Sequence, residues 1–170
     1  MISRISSFAG PLSSLPKPRV AYRYYRFNTT KIRDKTADPS YPSGIVQISE
    51  FDLRFAGTKI SYTGATATNP SGDNPVGEEP DKGIDGNTAT KWLDRSNRST
   101  RALIIDFGSR KIADSFRFAT ANDVDGRDPV QWTVDGSNDN SNWTTLHSQT
   151  TDASITTSRF TYTQVFYFTV

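Results

Sequence analysis

Asn122 to Trp143 reads N-D-V-D-G-R-D-P-V-Q-W-T-V-D-G-S-N-D-N-S-N-W and sets a short alternating run between two loops of Gly, Asp, Asn and Ser. Val130, Gln131, Trp132, Thr133 and Val134 alternate apolar and polar at period two, the pattern of a half-buried strand, with Trp132 facing a core. Asp135 and Gly136 supply a turn signal, and the Asn, Asp and Ser residues after them satisfy nearby backbone through short side-chain bonds. Loops of this composition recognise or tether something.

Arg127 to Trp143, as R-D-P-x-x-W-T-V-x-G-S-N-D-x-x-x-W, resembles the discoidin family, also called coagulation-factor C-type domains, of the galactose-binding-like superfamily. A second stretch, G-I-D-G-N-T-A-T-K-W at Gly83 to Trp92, is similar to a loop in which that family often holds structural calcium. The resemblance implies ligand roles for Asp85 and Thr90, for the carbonyl of Lys82, and for a Glu from a distant strand. Hard Ca²⁺ takes six to eight oxygens in a flexible cage, which Asp, Thr and carbonyl groups suit. The same residues also make an Asx-rich turn without an ion.

In the family the distant Glu sits in a closing strand that reads I-S-E-F. Here that stretch is Ile48 to Phe51, near the front, so the resemblance implies a rotated strand order in which Glu50 still reaches the Asp85 loop. Termini of compact domains often lie close together, so rotation can leave a fold intact. The alternative leaves Glu50 decorating an edge.

Period-two runs extend over the rest of the chain. Ala21 to Thr29, Arg101 to Phe107, Ser115 to Thr120, Thr144 to Leu146 and Thr161 to Thr169 read as strands. Ile45 to Phe55 reads as one long strand, bulged where its apolar phase shifts near Glu50. Thr63 to Lys82, rich in Gly and Pro, reads as a long loop. Many short strands with turn-rich links indicate an all-β sandwich, which the resemblance sharpens to a jelly-roll β-sandwich, galactose-binding-domain-like, from about Tyr41 onward. We divide the chain into a basic arm, residues 1–19, and a single sandwich domain, residues 20–170.

Charge separates these parts. Residues 1–35 hold eight Lys or Arg against Asp34 alone, so a net charge of +2 conceals +7 at the front and −5 behind it. Arg4, Lys17 and Arg19 lie in the arm and are candidates for clamping a neighbouring subunit; a solvated tail is the plain alternative. Nucleic-acid reading is disfavoured, since no helix-turn-helix, zinc or oligonucleotide-binding signature accompanies the basic residues. No stretch approaches the roughly 18 apolar residues of a membrane helix, and no secretory signal is evident. The expected setting is soluble, at a cell exterior or a virion surface.

Catalysis has little raw material. Cysteine is absent, and the one histidine, His147, is expected to be exposed at a strand end. Two readings stand side by side. One is a non-catalytic attachment module for a glycan or similar surface ligand, with Trp92, Arg95, Asn97, Arg98, Asn122, Asp123 and Arg127 as candidate contacts in the loops flanking the two motifs. Core packing is the competing role for Trp92, and Trp143 is expected to cover the sandwich edge. The other reading is a structural assembly protein, such as a virion decoration or tail component, held to its neighbours by the arm, with homo-oligomerisation open.

Overall fold

The computed structural model describes residues 21–169. Expectations placed on residues 1–19, including a partner-binding role for Arg4, Lys17 and Arg19, lie outside the described residues. The chain folds as two antiparallel sheets packed face to face. In the larger, β1 (Ala21–Ile32) lies between β7 (Arg101–Ile112) and β9 (Pro129–Ser137), with β5 (Thr66–Thr68) beyond β7 and β10 (Trp143–Gln149) beyond β9. In the smaller, β3 (Glu50–Phe55) pairs with β8 (Ser115–Ala119), flanked by β4 (Thr58–Lys59) and β11 (Phe166–Tyr167). A two-stranded ribbon of β2 (Val46–Ile48) and β6 (Trp92–Asp94) completes it.

Alternation on β1 explains its central place. Tyr25, Phe27 and Thr29 are buried toward the second sheet, while Tyr24, Arg26 and Asn28 point outward and are only half-buried. The Phe27 ring lies 5.1 Å from Phe51, 5.4 Å from Phe118 and 5.9 Å from Trp132, so one side chain joins both sheets. Trp132 crosses Phe118 edge to face at 5.3 Å and Phe166 at 5.0 Å. Each fully buried ring of this kind stabilises the fold by about 1.5–3 kcal/mol relative to exposure.

Four expectations are corrected. The strand expected over Ile45 to Phe55 is broken at Ser49, whose N–H donates to the Ala119 carbonyl and whose hydroxyl donates to the Thr120 carbonyl, both at 2.9 Å. There the chain leaves the β2–β6 ribbon and enters the second sheet, which accounts for the phase shift near Glu50. Asp135 and Gly136 do not turn; they continue β9 opposite Thr145 and Thr144. Asp135 is buried as the partner of Arg26, and Gly136 is required because the Tyr22 ring lies where a Cβ would be. The reversal comes at Asn138 to Asn142, where Asp139 accepts from the N–H groups of Ser141 and Asn142 at 2.9 and 2.7 Å.

The strand expected over Thr161 to Thr169 is paired only at Phe166 and Tyr167, apart from a lone bridge between Tyr162 and Ala119. Scattered main-chain bonds, such as Thr163 N–H to the Phe118 carbonyl at 2.8 Å and Phe168 N–H to the Asp114 carbonyl at 2.9 Å, and its rings hold the rest, with Phe166 and Phe168 at 5.4 and 6.0 Å from Phe116. His147 is buried rather than exposed, edge-on to Phe116 at 5.2 Å, with Nδ1 3.0 Å from the Tyr167 carbonyl. Trp143, at the start of edge strand β10, lies under the Arg26 guanidinium at 4.3 Å.

Register brings one set of loops together. Thr29 faces Arg101, Ile32 faces Pro129 and Glu50 faces Ala119. The ends of β1 and β8 and the starts of β7 and β9 therefore share one end of the sandwich. Short 3-10 turns at Lys35–Ala37 and Asp125–Arg127 are tied there by Asp34 N–H to the Gly126 carbonyl at 2.8 Å and Arg33 N–H to the Asp128 carbonyl at 2.9 Å.

Gly136→Ala tests the closeness of Tyr22 to β9. The added methyl must displace a buried ring, and we expect a loss of about 1–3 kcal/mol in urea unfolding with the strand content unchanged.

Candidate functional site

Arg127 is the hub of the loop end. Its guanidinium forks onto Asp38 at 2.8 and 2.6 Å and reaches Asp123 at 2.9 Å. Asp123 also holds Lys91, which donates to Asn122 Oδ1 at 2.8 Å and meets Glu78 at 3.0 Å. The bond to Asp38 holds Arg127 above its ordinary pKa. Beside this network Arg159 pairs with the fully buried Asp128, whose carboxyl burial pushes upward. The structure thus brings Asn122, Asp123 and Arg127 together, and their polar atoms serve mainly to hold the loops in place.

Arg95, Asn97 and Arg98 follow β6. Arg95 pairs with Asp73 at 2.9 Å, and Asn97 Oδ1 accepts from the Ser43 hydroxyl at 2.6 Å. Arg98 is exposed and forms no ion pair among the described residues. Trp92, expected among the ligand contacts, is fully buried on the β2–β6 ribbon and presents no face to solvent; its place is in the core.

Between the end of β1 and the loop before β7 lies a groove of about 510 Å³. Thr29 to Thr36 form one wall, Arg98, Ser99 and Arg101 the other, and Pro42 and Ser43 also line it. Thr30, Lys31, Lys35, Thr36, Arg98 and Ser99 are exposed, so the walls offer hydroxyl and cationic donors to solvent. Arg98 also borders a smaller groove of about 240 Å³ that runs past Asn28, Asn69 and Thr100.

Glu50 reaches the Asp85 loop. It is fully buried, and its Oε1 accepts from Gly86 N–H at 2.7 Å and Asn87 N–H at 3.2 Å. Asn87 N–H is shared with Asp85 Oδ1 at 2.9 Å, and the Thr90 hydroxyl donates to Asp85 at 2.8 Å. Burial raises the Glu50 carboxyl above its usual range; Lys59 at 3.2 Å and Gly86 lower it, while Asp85 raises it further. Lys82 lies in the 3-10 turn leading into the loop, its ammonium 3.5 Å from Asp81. Among the described residues no group of three His, Cys, Asp or Glu side chains is arranged to hold a metal ion. A calcium ligand set here would draw on two carboxylates, a hydroxyl and backbone oxygen, a donor chemistry that fits the hard ion.

The family described as NedA-like, galactose-binding domain matches residues 82–170, a little over half of the chain. The chain belongs to this family. No curated protein and no solved structure matches it. Membership makes the chain a carbohydrate-binding-like, non-catalytic β-sandwich module. The galactose-binding domain is completed from outside the matched residues, because β1 and β3, central to the two sheets, precede them. No helix among the described residues is long and apolar enough to cross a membrane.

Sequence reading missed Lys35 and Arg101 in the groove, and Asp38 and Arg159 behind it. The available signal was K-I-R-D-K at Lys31 to Lys35 together with R-S-T-R at Arg98 to Arg101, two cationic runs that pairing of Thr29 with Arg101 sets side by side.

Arg127→Ala should act first on stability. Leaving Asp38 and Asp123 without this partner is expected to cost about 1–3 kcal/mol in chemical denaturation. A variant as stable as the parent would return Arg127 to the pool of free ligand contacts.

Proposed function

We propose that the chain is an attachment module that takes a glycan at the loop end of its sandwich, in the groove between Thr29–Thr36 and Arg98–Arg101. The observation that carries this reading is the groove itself: its volume suits a saccharide unit or two, and its exposed walls carry hydroxyl and N–H donors. It opens between segments tied in advance, one by Asp34 N–H to the Gly126 carbonyl at 2.8 Å and the other by bonds from Ser43 to Asn97 and from Arg101 to Ser43, both at 2.6 Å, so binding orders little further chain. The setting in which such a module works is a cell exterior or a particle surface.

A glycan-array screen of the folded chain tests the reading. At least one glycan should bind reproducibly, and Ser99→Trp, which fills the groove from an exposed position, should abolish that binding. Silence from folded protein, or binding indifferent to the tryptophan, overturns it.

Structural calcium belongs to the same reading, with Glu50, Asp85, Thr90 and the Lys82 carbonyl as its ligands. Its support is the approach of a buried carboxylate to the Asp85 loop, where both carboxylates draw on one N–H. The ion would tie β3 to that loop. Unfolding temperature should be higher in excess Ca²⁺ than in chelator, and Asp85→Ala should erase the difference. Identical melting in the two buffers removes the ion.

A further inference from the structure

We propose that the glycan taken by this groove is anionic, a saccharide bearing sulfate or carboxylate groups, and that Lys35, Arg98 and Arg101 read its charge. This rests on glycan attachment at the same groove and adds the chemical class of the ligand.

Among the described residues the lining holds five cations, Lys31, Arg33, Lys35, Arg98 and Arg101, against the single carboxylate of Asp34. Two of the cations are already matched. Lys31 pairs with Asp152 at 2.7 Å, and Arg33 faces Asp128 at 3.7 Å and Asp125 at 4.0 Å. Asp34 caps the turn through Thr36 N–H at 2.8 Å and the Thr36 hydroxyl at 2.7 Å; these bonds favour its charged form, so it offsets one of the remaining cations. Lys35 and Arg98 remain, both exposed and neither in an ion pair among the described residues.

Arg101 carries the argument further. Only 5% exposed, it donates to the carbonyl oxygens of Ser43 at 2.6 Å, Gly44 at 3.0 Å and Ser96 at 3.3 Å, with no carboxylate in ion-pair reach among the described residues. Carbonyls take up the Nε and Nη2 donors but leave the charge without a counter-charge. Burial accordingly lowers its pKa, and Asp94 acts in the opposite direction only at a distance. A buried cation in this state favours an incoming anion more than an exposed lysine does, because desolvation has already been met by the fold.

The lining also argues against a neutral sugar. Among the described residues no aromatic ring faces the groove, so they offer the apolar face of a pyranose no platform on which to stack. Affinity there must come from hydrogen bonds and charge. Arg98 borders both grooves, so its guanidinium is in reach of a charged oligosaccharide lying in either.

The test titrates the folded full-length chain with three oligosaccharides of equal length: a sulfated galactan, an oligogalacturonate and a neutral galactan. One or both acidic ligands should bind at least tenfold more tightly than the neutral one, and the preference between them tells sulfate from carboxylate. Raising the salt concentration should weaken the acidic ligands alone. Lys35→Ala and Arg98→Ala, both at exposed positions, should each weaken acidic binding about tenfold. Arg110→Ala, exposed at the far end of β7, should leave it unchanged. Equal affinity for the neutral galactan overturns the charge reading and leaves glycan attachment standing. Absence of binding to all three and to a glycan array overturns both. Equal weakening by Arg110→Ala, or tighter capture by duplex DNA or anionic phospholipid vesicles through the same residues, overturns the proposal in favour of unspecific charge or another ligand.

Discussion

Contact across the sandwich at Phe27 is the constraint on which the rest depends. The ring touches Phe51 and Phe118 of one sheet and Trp132 of its own, so β1 must occupy the middle of the larger sheet with β7 and β9 on either side. Once β1 is central, its far end meets the starts of both neighbours, and the loops that follow β1, precede β7 and precede β9 have nowhere else to gather. The groove is therefore a consequence of core packing. Its walls are the places where β1 ends and β7 begins.

Strand periodicity was the most legible part of the sequence, and the reasons for its failures are local. Trp132 was placed correctly because alternation around it is clean on both sides. Asp135-Gly136 has the composition of a turn, yet its glycine answers to a ring that arrives from Tyr22, more than a hundred residues earlier, and its aspartate to Arg26. At the C-terminal end the alternation of YTQVFYF was real, but Phe166 and Phe168 spend it on stacking against Phe116 rather than on a long ladder.

The loop end was legible as a region and illegible residue by residue. Asn122, Asp123 and Arg127 stand where the motif placed them, but the partners that hold them, Asp38, Lys91 and Glu78, come from distant segments that no local pattern connects. Trp92 belonged to the core for a similar reason: burial on a two-stranded ribbon is a tertiary fact. Charge gave a further lesson. Of the eight basic residues among residues 1–35, five fall at Arg23, Arg26, Lys31, Arg33 and Lys35, on β1 and the groove wall, so the front-loaded charge is largely a property of the sandwich.

The central position of β1 also bears on how the chain reaches its fold. Phe27 ends opposite Leu103 and Val134, which are synthesised 76 and 107 residues later. During translation a strand with a largely apolar inner face must wait for both neighbours, the circumstance in which nascent chains associate wrongly and in which pairing is slow. Arg23 and Arg26, interleaved among its aromatic residues, and Lys31 beyond them are charges of the kind that disfavour association of like strands over such an interval.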